Sequence, residues 1–192
     1  MTEQRVTDIM LDLETLGVSP GSVVLSMGAV AYDPRAPWDS DTGQELARTY
    51  RFMRKISLED CCAQGLVIEP GSIRFWMSQS DEAREEAFSG KMLLKNALLD
   101  FSDWFGRLPS DGPVKVWAHG APFDPALLKA AYKAVGLEEP WEFRELRDTR
   151  TVFDLAGITY KGTRHHVIED CLDQCRKVCE GFAALGLCRI AA

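Results

Sequence analysis

No stretch of this sequence reaches the ~18 consecutive apolar residues that a membrane-spanning helix needs, so no membrane partner is expected. The opening MTEQRVTD lacks a basic segment leading into an apolar one, which argues against a secretory signal. Basic charge is also short: 22 Lys and Arg stand against 29 Asp and Glu, a net charge of −7. That balance excludes a protein that coats nucleic acid electrostatically, but not an enzyme that engages it at one local site. With no signal for export, the six cysteines are expected as free thiols in the reducing cytoplasm. Repeats and Gly/Ser- or Pro-rich linkers are missing as well. At 192 residues, 46% hydrophobic and 27% charged, the chain suits one packed domain over residues 1–192 and is short for two.

The pattern that is present alternates strands with helices after an initial β-meander. Residues 6–14 and Val23–Asp33 read as strands joined by a Ser-Pro-Gly turn at 19–21, an antiparallel hairpin. A Pro-containing acidic loop over 34–43 precedes a third strand at Thr49–Ile56, whose basic residues suit a sheet edge. Residues 72–88 read as helical with a break near Ser80. The apolar spacing of Leu94, Leu98, Phe101, Trp104, Phe105 and Leu108 predicts a core-facing helix over Lys91–Leu108. Then follow a strand at Val114–Ala118, a helix at 124–135 opened by Asp124-Pro125, a strand at Phe143–Arg147, a short helix at 149–156 and a last helix at 166–185. The expected architecture is one α/β domain with a mixed sheet.

The stretch DIMLDLETLG raises the functional question. On a strand, Ile9, Leu11 and Leu13 share one face, while Asp12 and Glu14 share the other, about 7 Å apart. Two carboxylates so close either face solvent or share a divalent cation, for which hard oxygen ligands are suited. Asp124 follows the strand VKVWA, where ligands of open α/β sheets collect, and equally suits a helix N-cap. Asp170 lies near the start of the last helix, where a carboxylate also favours the helix dipole.

Taken together, these segments resemble the DEDDh subgroup of the DEDD 3′–5′ exonuclease superfamily. Asp12, Glu14, Thr15 and Gly17 match a first motif, Asp-x-Glu-Thr-x-Gly. Phe123, Asp124 and Leu128 match a second, and His165 with Asp170 a third, His-x-Ala-x-x-Asp, in which Val167 replaces the usual Ala. The phrases SPGSVVLSMGAVAYD, FWMSQSDEAR and VWAHGAPFD are most similar to the branch of phage exonuclease A and a mycobacterial exoribonuclease. The resemblance spans roughly residues 6–180.

It implies a ribonuclease H-like α/β fold with a mixed five-stranded sheet flanked by helices. It also implies two Mg²⁺ or Mn²⁺ ions held by Asp12, Glu14, Asp124 and Asp170 for phosphodiester hydrolysis. The substrate would be nucleic acid with a free 3′ end, single-stranded or with a 3′ overhang, cut to nucleoside 5′-monophosphates. The base is a histidine, whose ordinary pKa near 6.5 suits the task. Helix spacing taken alone favours His166, four residues before Asp170; the family pattern favours His165, and both agree if His165 precedes the helix on a loop. We take His165. Thr15 and Leu16 fall where similar enzymes hold or wedge the 3′-terminal nucleotide.

Trp76 and Phe123 are candidates to stack on a base or to serve the core. Lys161 and Arg164 either meet the strand's phosphates or belong to a solvated loop. Arg147 and Arg150, flanking Asp148, are read as pairing with carboxylates, and His119 as a structural histidine. Cys171, Cys175 and Cys179 form one helical stripe better explained by burial than by zinc. Two rivals stand against the exonuclease: a catalytically silent nucleic-acid-binding subunit of the same fold, and a cysteine-based redox or zinc module. RNA against DNA is left open, as is a homodimer of the kind found in similar enzymes.

Overall fold

A computed structural model describes residues 5–162 and 166–188, the side chains of 41–43 excepted. Five strands form one mixed sheet: β1 (Asp8–Thr15), β2 (Val24–Tyr32), β3 (Arg51–Lys55), β4 (Lys115–Ala118) and β5 (Leu146–Asp148), in the order β3-β2-β1-β4-β5. β3, β2 and β1 pair antiparallel, whereas β1, β4 and β5 run parallel. The β1–β2 hairpin turns where expected: Ser22 N–H donates to the Ser19 carbonyl (3.1 Å), and Gly21 takes φ +97. β3 is an edge strand, as its basic residues suggest.

Eight helices cover the described sheet: α1 (Asp41–Thr49), α2 (Leu58–Ala63), α3 (Pro70–Met77), α4 (Asp81–Phe88), α5 (Leu94–Gly106), α6 (Asp124–Ala134), α7 (Thr149–Ala156) and α8 (Val167–Ala184). The break near Ser80 is real, and the Ser80 hydroxyl caps α4 by accepting from Ala83 N–H (3.2 Å). Three segments differ from the sequence pattern. Helix α1 starts inside the stretch read as loop. Helix α2 is a six-residue turn whose cap, Ser57, is a signal too short to carry a period. Residues Phe143–Glu145 form a 3₁₀ turn, and the strand begins only at Leu146.

Alternation along β1 divides the interior. Ile9, Leu11 and Leu13 enter a large core with Leu98, Phe101, Leu127 and Leu128. Met10, on the opposite face, joins Val30, Tyr32 and Trp117 in a second core closed by α8. All nine residues of β2 are buried, as expected of a strand covered on both faces. Helix α8 contributes Val167, Cys171, Cys175, Val178 and Cys179 to the second core. It lies so close over β2 that a Cβ on Gly28 would come within 2.7 Å of Val167. Gly28 pairs in register with Asp12, so this contact seats the first turn of α8 directly over the carboxylate face of β1.

Candidate active site

Strand β1 delivers Asp12 and Glu14 to the face that α8 covers, and α8 delivers Asp170 from its first turn. One carboxylate oxygen from each of Asp12, Glu14 and Asp170 lies within 4.8 Å of the others, the one such group of potential metal ligands among the described residues. Asp124 is the first residue of α6 rather than its cap. Its Oδ1 accepts from Leu13 N–H (3.2 Å), which ties the start of α6 to the same stretch of β1. Asp12, Asp124 and Asp170 line one cleft of about 400 Å³.

Like charges crowded in partial burial resist ionisation. Burial, then the Asp170 charge, lifts Asp12 to about 7, against a hydrogen bond from Gln174 that lowers it. Burial, then Asp12 and Asp170, lifts Glu14 to about 9. Burial and Asp12 push Asp124 well above the usual carboxylate range. Among the described residues, no Lys or Arg forms an ion pair with Asp12, Glu14 or Asp124. A set of oxygen donors without a counter-charge is what a hard divalent cation satisfies, so the residues fit such an ion.

Gln174, 3% exposed and one turn beyond Asp170, donates Nε2–H to Asp12 Oδ1 (3.0 Å). Sequence reasoning passed over it. Its position four residues after Asp170, as a lone amide within a buried apolar stripe, was the available signal.

A second cleft, about 350 Å³, lies along Glu14 and Thr15 and is walled by Gly71, Ser72, Phe75, Trp76 and Phe123. Leu13, Val18 and Phe123 line both clefts, so the carboxylates stand at their junction. The loop between β1 and β2 is pinned: Glu69 accepts from Val18 N–H and Ser19 N–H (3.0 Å each), and Trp76 Nε1–H donates to the Thr15 carbonyl (2.9 Å). Gly17 of the first motif has no room for a side chain, since a Cβ would meet Ser22 Oγ at 2.1 Å.

The predicted contact residues divide. Thr15 and Phe123 line the clefts. Trp76 lines one as well, although it is 2% exposed and packs edge-to-face on Phe75 and Phe88. Leu16, expected at the nucleotide, is 2% exposed and packs in the large core instead, where it backs the loop. Lys161 is exposed and precedes Gly162, which lines the first cleft. His165 and Arg164 lie outside the described residues. His166 caps α8, and its backbone N–H donates to Asp170 Oδ2 (3.3 Å).

Two residues read as structural also border the first cleft. His119 bonds Thr149 Oγ1 through Nδ1 (2.8 Å) and packs against Tyr160. Arg150 lines the same wall, and its guanidinium forms no ion pair among the described residues, contrary to the expected carboxylate pairing. The cysteine stripe is buried, with Cys171 Sγ directed at the Met10 and Gly28 carbonyls (3.5 and 3.6 Å).

A mixed sheet with this strand order, a carboxylate pair on its central strand and two more on flanking helices is the ribonuclease H-like fold that DEDDh exonucleases share. The 3′-5′ exoribonuclease Rv2179c-like domain family matches residues 7–182; the chain belongs to that family and is a 3′–5′ exonuclease. No curated protein matches it in sequence. Among solved structures, the nuclease domain of 3′hExo, a DEDDh family member bound to rAMP, is similar over 97% of both chains, with TM-score 0.57 and 11% identity. Pop2p of S. pombe, in a form with Mg²⁺ and Mn²⁺ bound, is similar over 97% of this chain and 86% of its own, with TM-score 0.55 and 15% identity. Exonuclease I of E. coli, in complex with an oligonucleotide, is similar over 91% of this chain and 40% of its own, with TM-score 0.57 and 12% identity.

Proposed function

We propose that this protein removes nucleoside 5′-monophosphates one at a time from the 3′ end of single-stranded RNA, or of RNA with a 3′ overhang. The observation that carries the proposal is the convergence of Asp12, Glu14 and Asp170 within 4.8 Å, with Asp124 in the same cleft. The four carboxylates would hold two divalent cations, Mg²⁺ or Mn²⁺, and Gln174, donating to Asp12, would orient it for that task. When bound, such cations acidify water and offset charge on the phosphate and the leaving 3′ oxygen.

The remaining work falls to the chain. The 3′-terminal nucleoside enters the apolar cleft beside Thr15, between Val18, Phe75 and Phe123, where apolar and aromatic walls suit a base of any identity. The loop that carries Val18 is held by Glu69, so the terminal sugar meets a positioned wall. His165 takes the proton from the attacking water; the family motif supports this role. Its covalent neighbour, His166 N–H, is already bonded to Asp170. RNA as the substrate follows the family's description. Six free cysteines are consistent with the cytoplasm, and one sheet within a matched span of 7–182 supports a single exonuclease domain.

The test is a product ladder from matched 3′- and 5′-labelled RNA and DNA oligomers with Mg²⁺ or Mn²⁺, with and without EDTA. Stepwise loss from the 3′ end of RNA, abolished by EDTA and by Asp12→Ala, is expected. No release under any metal would favour the catalytically silent reading.

A further inference from the structure

We propose that Arg150 grips the backbone phosphate on the 5′ side of the scissile one and so fixes how far the strand advances into the site. The inference deepens the proposed function and rests on its placement of the 3′-terminal nucleoside in the apolar cleft.

Three observations carry it. Arg150 lines the wall of the cleft that also holds Asp12, Asp124 and Asp170. Its natural partner is spent elsewhere: Asp148 Oδ1 accepts from Arg150's own backbone N–H (2.9 Å), and Asp148 Oδ2 from Ala121 N–H (3.0 Å). The guanidinium is also bedded. It lies over Gly120, where φ is +115 and a Cβ would stand 3.3, 3.4 and 3.6 Å from Nη1, Cζ and Nη2. A bare glycine therefore supports the planar group on the rim of an acidic cleft while its N–H fork has no carboxylate among the described residues.

Path fixes the ligand. Glu14 lines the apolar cleft, whereas Asp12, Asp124 and Asp170 line the other, and Phe123 borders both. A strand whose last nucleoside fills the apolar cleft crosses the carboxylates at its scissile phosphate. It then runs into the carboxylate-lined cleft, where the next phosphate meets Arg150. A phosphate monoanion is the partner a planar guanidinium fork binds in bidentate fashion. Burial, then the Arg150 charge, holds the neighbouring His119 imidazole below its usual pKa, which disfavours a second cation there.

The experiment uses RNA oligomers with one uncharged methylphosphonate at the linkage immediately 5′ to the scissile bond. Wild type, Arg150→Ala and Arg150→Lys are compared. On the all-phosphate strand, Arg150→Ala should lower kcat/KM about 10- to 100-fold, mainly through KM, and Arg150→Lys should recover part of it. Binding by Arg150→Ala should show a log K against log salt slope smaller by about 0.7. The methylphosphonate should slow wild type by a similar factor and cost Arg150→Ala almost nothing further. Additive penalties, or an Arg150→Ala enzyme as fast as wild type, would overturn the assignment while leaving the carboxylate site standing. A wild-type enzyme indifferent to the methylphosphonate would overturn both the assignment and the strand path. That arm needs no variant to fold.

Discussion

Asp8 and Glu14 sit on the same strand and the same face, with nearly equal exposure, 7% and 8%. At Asp8 the fold supplies a donor: Trp117 Nε1–H reaches Oδ1 at 2.6 Å. At Glu14 the neighbours are Asp12 and Asp170, both of the same sign. Burial lifts both carboxyls, yet only one is left with unmet charge. A buried acid is therefore not in itself a sign of function. The sign is convergence of acids from separate segments whose nearest charges are of the same sign.

The comparison breaks most visibly in activity. Asp12→Asn or Glu14→Gln should cost roughly 10³-fold or more in kcat, the scale expected when a member of a charge-stabilising site is removed. Asp8→Asn, equally buried on the same face, should leave kcat within a few-fold. Single-turnover assays on a labelled RNA oligomer check both. If Asp8→Asn and Glu14→Gln lose activity alike, the two ends of β1 do not differ as argued.

Acidity offers the next break. Asp12 rises from 3.8 to about 7 and Glu14 from 4.5 to about 9 on folding. Groups raised in the fold favour it fully below their unfolded values. That contribution is lost as pH climbs through 7 and then 9. Metal-free protein should thus show a Tm that falls from about pH 4 to about pH 9, more steeply below about pH 7, where both groups contribute, by this linkage. The upper part of the fall should flatten in Glu14→Gln. Mn²⁺ binds the ionised carboxylates and competes with protons, so it should raise Tm more at about pH 8.5 than at about pH 6. Calorimetry in EDTA and in MnCl₂ measures it, and a Tm insensitive to metal at every pH would count against the site.

Helix α8 ties the two regions, since it brings Asp170 and Gln174 to one end and Cys175 and Cys179 to the other. Gly28→Ala forces a methyl into Val167 and should destabilise by up to about 3 kcal/mol. It should also impair activity beyond that loss by lifting the first turn of α8 off Asp12. Urea melts and kcat at low denaturant separate the two.

Much of this was legible in the chain. The strand period separated Ile9, Leu11 and Leu13 from Asp12 and Glu14, and the hairpin and the break at Ser80 were written in turn and cap residues. The family resemblance pointed to the four acids, and the fold brings Asp12, Glu14 and Asp170 within 4.8 Å, with Asp124 in the cleft beside them. What was not legible depends on tertiary placement. Leu16 follows a catalytic motif in sequence, yet hydrophobic burial takes it inward. Arg150 sits beside Asp148, and adjacency suggested a pair, but backbone N–H groups consume that carboxylate. The 3₁₀ turn at 143–145 reads as strand because three residues hold no period. The meeting of Gly28 with Val167 joins segments about 140 positions apart, and local pattern does not encode it.

The smallest effect sharpens the comparison from its quiet end. Trp117→Phe keeps a ring in the second core but deletes the one indole donor to Asp8, which would make Asp8 resemble Glu14. The cost should be about 1–2 kcal/mol, the price of an unsatisfied buried acceptor. It should grow as pH rises, because a carboxyl lifted further by loss of its donor is tolerated when protonated and penalised when ionised. Asp8→Asn in the Trp117→Phe background should remove that pH dependence, and the four proteins form a cycle that isolates the bond from the lost packing. Activity should follow wild type throughout, since Asp8 lies at the end of β1 away from the clustered carboxylates. A pH-independent cost would mean that Trp117 stabilises by volume alone and that the two ends of β1 differ less than their hydrogen bonds imply.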